Sequence, residues 1–435
     1  MKIEHNILKS GLNVYLINVS SPLSMFQLFT PFGGDTIEYY DSVQDKKINL
    51  QPGSAHYFEH VLFAMKPRKK NELCSDGMKL LQNNKGINVN AYTSHDITNF
   101  HFSSRLKQKE NLKILTEMVF VPYLPEERFK KETGDILDEI AGSENRSRSV
   151  HLTTLMGQLF KKHGAKYPIL GTAETITQIK LEDLLSMHEM FYRPSNMTLI
   201  VVGNASMKDI TQVVEKELKA IGKGDYQEPP KYENPGETDG VVKFNNFEDP
   251  LVRKDVANKT IYGAWKCLID PMSMPIDELI DRRLAMDIIA TAIFGSGSRI
   301  REYFVNQGMN STMFGGRTMA FKDHSEIIFA DNVEDPEKFQ DVIVKKQNDI
   351  LRTGLSEREI DYAIKYLKLK EDYGINSLEN LGTILIDWCR LTGNPENYFK
   401  VMKRMKTIET GRVNELMQEI IKTDNLSFCL MKPEE

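Results

Sequence analysis

Residues 54–63 read SAHYFEHVLF and place two histidines and a glutamate, His56, Glu59 and His60, within five positions. The pattern predicts a short helix over 54–64, with Ser54 or Gly53 as its cap and a stop near Pro67. On a helix, residues four apart are neighbours with Cβ atoms about 5–6 Å apart, so both imidazoles can aim at one point. Zinc–nitrogen bonds of about 2.0–2.1 Å close on a single ion from that separation. Glu59, one residue before the second histidine, then stands beside the metal, where its carboxylate can hold a water without taking a ligand position. A lone histidine on an amphipathic helix is ordinarily a polar or core residue, and it is the His-x-x-Glu-His combination that favours the metal.

A catalytic zinc keeps three protein ligands and an open position, so a third ligand has to come from elsewhere in the chain. LPEERFKKETGDILDEIAGS, residues 124–143, predicts a helix that starts at Pro125 and carries Phe129, Ile136, Leu137 and Ile140 on one stripe. Its Glu132 and Glu139 lie seven residues apart, two turns, and share a face. One could bind the metal while the other orients a ligand histidine, and spacing alone does not choose between them.

Around these helices the chain reads as alternating structure. GLNVYLINV, residues 11–19, alternates as a strand, and GINVNAYTSHDITNFHFSS, residues 86–104, predicts two strands around a turn that contains His95 and Asp96. Residues 180–202 give a helix, a proline-containing turn and a buried strand. Residues 222–240 gather prolines, glycines and charges and read as a linker between a domain at 1–221 and one at 241–435. The layout of 184–202 returns at 413–431, with DNLSFCLM where SNMTLIVV stood, which suggests duplication of one α+β unit. The long helix predicted at 276–295 holds no histidine, so only the first half is expected to carry a metal site.

Composition narrows the function classes. A chain of 435 residues exceeds one ordinary core, and two or three domains are expected. With 40% hydrophobic and 27% charged residues and a net charge of -5, it has the profile of a soluble globular protein and gives no reason to expect nucleic acid. The basic run KPRKK, residues 66–70, reads as a solvated helix end. Cys74, Cys267, Cys389 and Cys429 are too scattered for a disulfide framework or a zinc ribbon. No apolar run is long enough for a membrane span, and a cytoplasmic location is the default expectation.

The inverted His-x-x-Glu-His order, followed by a helix with two glutamates seven apart, resembles the M16 family of zinc metallopeptidases, the group of pitrilysin, insulin-degrading enzyme and mitochondrial processing peptidase. PGSAHYFEHVLF, NAYTSHDITNF, ETGDILDEI, YPILGTAETI and YRPSNMTLIVVGN, with GSGSRIREYFVNQGMNSTMF in the second half, follow the family's order. The resemblance implies an α+β fold of two homologous domains, each a mainly antiparallel sheet packed with helices, on the short M16B-type plan of bacterial peptide-processing members. It implies one Zn2+ per chain held by His56, His60 and Glu139, with Glu132 as an outer carboxylate and Glu59 as general base. The implied activity is that of an endopeptidase cleaving peptides or small unfolded precursor proteins by Glu-assisted attack of a zinc-bound water. Extended peptide substrate is implied to add to an edge strand at Asn90 and Ala91.

One departure bears on partners. The family's second domain often carries an arginine and, seven residues on, a tyrosine that bind substrate and stabilise the tetrahedral intermediate. Here the arginine place holds Phe304 and the tyrosine place Ser311, with Arg301 and Tyr303 nearby at the wrong spacing. The resemblance therefore implies a heterodimer with a homologous zinc-less M16 subunit, a homodimer being the alternative. The competing reading, a non-catalytic or scaffold subunit, would be expected to have an eroded zinc motif.

Overall fold

The structure, a computed structural model, describes residues 3–41, 45–70, 72–230, 236–270, 273–309 and 313–434. Alternation decides how its strands are used. In Asn13–Asn18, Val14 and Leu16 join one hydrophobic core while Tyr15 and Ile17 are buried on the other face. In Thr98–Ser104, Phe100 and Phe102 enter that core and Asn99, His101 and Ser103 turn away from it.

The chain divides into two compact units. The first comprises Met1–Gly142, Tyr167–Pro235 and Asn376–Ile386. Its strands are β1 (Ile3–Ile7), β2 (Asn13–Asn18), β3 (Ser24–Thr30), β4 (Ile87–Thr93), β5 (Thr98–Ser104) and β6 (Thr198–Gly203). They form one sheet in the order β1-β2-β6-β3-β5-β4, antiparallel except for the parallel β2/β6 pair. On the core face lie α1 (Ser54–Val61), α2 (Glu126–Glu144) and the helix Leu181–Phe191, contributing Tyr57, Phe58, Ile136, Ile140, Leu184 and Phe191 to the core. Full burial of each such side chain stabilises by about 1.5–3 kcal/mol.

The second unit comprises Ser143–Lys166, Gly236–Ile375 and Asp387–Glu435. Its sheet contains β7 (Leu251–Arg253), β8 (Thr260–Leu268), β9 (Gly315–Ala320), β10 (His324–Asn332) and β11 (Leu426–Pro433), ordered β7-β11-β8-β10-β9. Pairing is antiparallel except for β7/β11. This repeats β2-β6-β3-β5-β4 strand for strand and sense for sense. The two sequence segments that read alike, 195–202 and 424–431, supply the equivalent strands β6 and β11. The expectation of duplicated α+β domains is met.

Two segments leave their half of the sequence. The helix Ser147–Leu159 belongs to the second unit because Leu155, Met156 and Leu159 pack on Tyr262, Ala264 and Ile328, the sheet face opposite the main core. Residues 376–386 belong to the first unit, where Gly382 leaves room for Gln27, whose Nε2 would lie 2.1 Å from a Cβ at that position. Among the described residues no helix is long and apolar enough to cross a membrane.

Candidate metal centre

α1 starts at Gly53, whose φ of +95° favours glycine and whose Cβ would stand 2.8 Å from the Leu170 carbonyl oxygen. Ser54 does not cap the helix, because its hydroxyl donates to the Gln51 carbonyl instead. The helix ends at Val61, earlier than the sequence predicts, and Ala64–Met65 form a short strand. Ser54 to Glu59 and Val61 are all buried. Ionisable groups in such surroundings need partners, since an isolated buried charge carries a large desolvation penalty.

Those partners come from α2. Tyr57 ties the two helices together, donating to the Phe129 carbonyl at 2.8 Å with its oxygen 2.6 Å from Thr133 Oγ1. Across this contact Glu139 Oε2 lies 3.6 Å from His56 Nε2 and 3.5 Å from His60 Nε2. Two ligands bound to zinc at about 2.0–2.1 Å and a tetrahedral angle stand about 3.3–3.4 Å apart, so the ion fits this donor set with small shifts. Three such donors leave a fourth position open. Glu132, although on the same face of α2, sits behind His60: its Oε2 is 3.4 Å from His60 Nδ1, and its Oε1 is held at 2.6 Å by Arg128.

The three titratable groups on α1 respond differently to their surroundings. Burial, with His60 beside it, pushes His56 down to about 3, which leaves a neutral imidazole with a lone pair to give. Its Nδ1 is buried without a hydrogen-bond partner among the described residues, so no hydrogen bond at that nitrogen orients the ring. For His60, burial opposes the charge, but Glu132, Glu59 and Glu139 together outweigh it and raise the pKa. Burial raises the Glu59 carboxyl, against the opposing effects of a hydrogen bond from Thr93 and of His60. A carboxyl shifted toward neutrality exchanges protons with water more readily at physiological pH.

β4 is an edge of its sheet and lies beside α1. Asn90 is exposed opposite His101, and Ala91 is buried opposite Phe100. A register shift between Ile87 and Asn90, with Asn88 at a φ of 49°, bends the strand there. His95, in the turn that follows, bonds to Asp35 at 2.5 Å and pins the turn. Two residues absent from the sequence reading thus touch the site, Thr93 and Arg128. The i,i+4 spacing of Arg128 and Glu132 was a visible signal, whereas nothing local links Thr93 to Glu59.

In the second unit, Phe304 is buried, its ring 5.1 Å from Phe314 and 5.3 Å from Phe339. Arg301 donates to the Phe314 carbonyl at 2.9 Å, and Tyr303 lies under the Lys346 ammonium at 4.4 Å. Ser311 is outside the described residues.

Comparison with known proteins places these features in a family. Residues 42–173 match the family described as Insulinase (Peptidase family M16), and residues 178–367 match Peptidase M16 inactive domain. An uncharacterized zinc protease of Bacillus subtilis is 25% identical over 99% of this chain and 96% of its own. The mitochondrial-processing peptidase subunit beta of Caenorhabditis elegans is 24% identical over 87% of this chain and 81% of its own. In fold, an M16-like peptidase from Alicyclobacillus acidocaldarius superposes with a TM-score of 0.86 at 21% identity, covering 100% of this chain and 98% of that one.

Proposed function

The chain belongs to peptidase family M16, and from that premise we propose that it is a zinc-dependent endopeptidase acting on peptides or small unfolded precursor proteins. The observation that carries the reading is Glu139 Oε2 within 3.6 Å of both imidazole Nε2 atoms, with the Glu59 carboxylate alongside and outside that set. A zinc ion held by His56, His60 and Glu139 would lower the pKa of water and polarise a peptide carbonyl. Glu59 takes the proton from the attacking water and returns it to the leaving amine. The free edge of β4, at Asn90 and Ala91, takes the peptide as an added strand. Glu132, gripped by Arg128, holds the His60 ring.

Phe304 fills its place with a buried ring, so no cation reaches substrate from that position. We assign that task to a homologous zinc-less subunit in a heterodimer. The unbridged cysteines support a reducing, cytoplasmic setting.

The test is to purify the chain with whatever copurifies, count zinc per chain, and follow cleavage of unstructured peptides. One zinc per chain is expected, with hydrolysis lost on chelation and restored by one equivalent of zinc; hydrolysis indifferent to stripping would end the proposal. Full activity of the isolated chain would end the heterodimer assignment. Glu132→Gln is expected to weaken zinc binding by about 10–100-fold, read by competition with a chelating dye.

A further inference from the structure

The edge strand that borders the site also grips its base. Thr93, the last residue of β4, donates its hydroxyl hydrogen to Glu59 Oε2 at 2.7 Å, the length of a charge-assisted bond. Behind it, Thr98 donates to the Phe32 carbonyl at 2.9 Å and stands 3.5 Å from Thr93 Oγ1. A hydroxyl has one hydrogen to give. That of Thr98 is committed to the carbonyl, and that of Thr93 goes to the nearer carboxylate. Thr93 cannot easily turn away, because it is β-branched and its backbone is paired directly with Thr98.

Among the described residues, Thr93 is the only side-chain donor to Glu59. We propose that Thr93 is the positioning residue of the general base: it anchors Oε2 so that Oε1 is the oxygen left to exchange a proton with water. The proposal rests on the peptidase reading above. It assigns Thr93 no contact with substrate and no part in holding metal. A glutamate has three rotatable side-chain bonds, and without this anchor the carboxylate can swing toward His60 and out of line with the water. The anchor belongs to the same strand as Asn90 and Ala91, so ordering of β4 by an added peptide also orders the base.

The experiment compares Thr93→Val, Thr93→Ser and Glu59→Gln in the protein as purified, with zinc content, kcat and KM measured for each. Thr93→Val should keep its zinc and its KM while kcat falls by about 10–100-fold, less than the loss of the base itself. Thr93→Ser, which restores the hydroxyl without the methyl, should recover most of the loss. A crystal structure of metal-free Thr93→Val should show the Glu59 carboxylate displaced from its place. Wild-type kcat in Thr93→Val beside an inert Glu59→Gln overturns the role of Thr93 and leaves the peptidase reading standing. Equal losses in folded Thr93→Ser and Thr93→Val also overturn it, because the hydroxyl is then irrelevant. Should Thr93→Val fail to fold, Thr93→Ala takes its place under the same criteria. A Glu59→Gln protein that cleaves at the wild-type rate overturns the peptidase reading itself.

Discussion

Glu59→Gln is expected to lower kcat for peptide cleavage by about 10²–10⁴-fold while zinc per chain and KM stay near their wild-type values. The amide has nearly the same shape as the carboxylate, and its oxygen can still accept the Thr93 hydrogen bond seen at 2.7 Å, so fold and local packing are preserved. What it loses is the capacity to take a proton. His56, His60 and Glu139 are untouched by the change, which is why metal content should not follow activity down. Their replacement has a different signature, since His56→Ala removes a donor and should lose zinc and turnover together. Metal analysis beside steady-state kinetics on the two variants separates the roles. If Glu59→Gln loses zinc as His56→Ala does, Glu59 is part of the ligand set and not the base.

How far the sequence could see follows from how local each feature is. His56 and His60 were legible because four residues on a helix fix their relation before any tertiary contact forms. The choice between Glu132 and Glu139 was not, because both lie on one face of α2 and only the docking of α2 on α1 separates them. That docking is set by Tyr57 meeting Phe129 and Thr133, more than seventy positions away in sequence. Family resemblance supplied the assignment that spacing could not. Strand identity was legible at residues 11–19 and 86–104 from alternation, and the repeated endings of the two halves foretold the matching sheets. The destination of Ser147–Leu159 was not legible: an apolar helical face says that it must be covered, not which sheet covers it. Thr93 was hidden for a similar reason, since its partner is on another element thirty-four positions earlier.

The second large effect concerns stability, in the segment that enters the second unit. Glu237 is buried with Lys266, whose ammonium is 3.2 Å from Oε1 and also donates to the carbonyls of Thr238 and Gly240 at 3.0 and 2.9 Å. The other oxygen, Oε2, accepts from the backbone N–H groups of Lys161, Lys162 and His163 at 3.0, 2.8 and 3.0 Å. Glu237→Ala removes the ion pair and the acceptor of the three backbone N–H groups at once, and leaves an ammonium without its counter-charge at a fully buried position. Removing one partner of a buried pair costs about 3–5 kcal/mol. For a unit of this size that corresponds to a fall in Tm of about 6–20 °C, measurable by calorimetry.

Adding Lys266→Met to Glu237→Ala should be milder than Glu237→Ala alone, because it removes the stranded charge and fills the space with a side chain of similar volume. The same contacts make a pH prediction. Burial alone would raise the Glu237 carboxyl, but the backbone N–H groups and Lys266 override it and hold the pKa down to about 2, against 4.5 for a free glutamate. A depressed carboxylate gives its full stabilisation above the unfolded value and loses it as pH falls toward the folded value. The wild-type protein should therefore lose stability between about pH 4.5 and 2 more steeply than Glu237→Gln, whose amide has no proton to take up. Parallel acid limbs in the two proteins, compared by Tm against pH, would remove Glu237 from the account of what holds this segment in place.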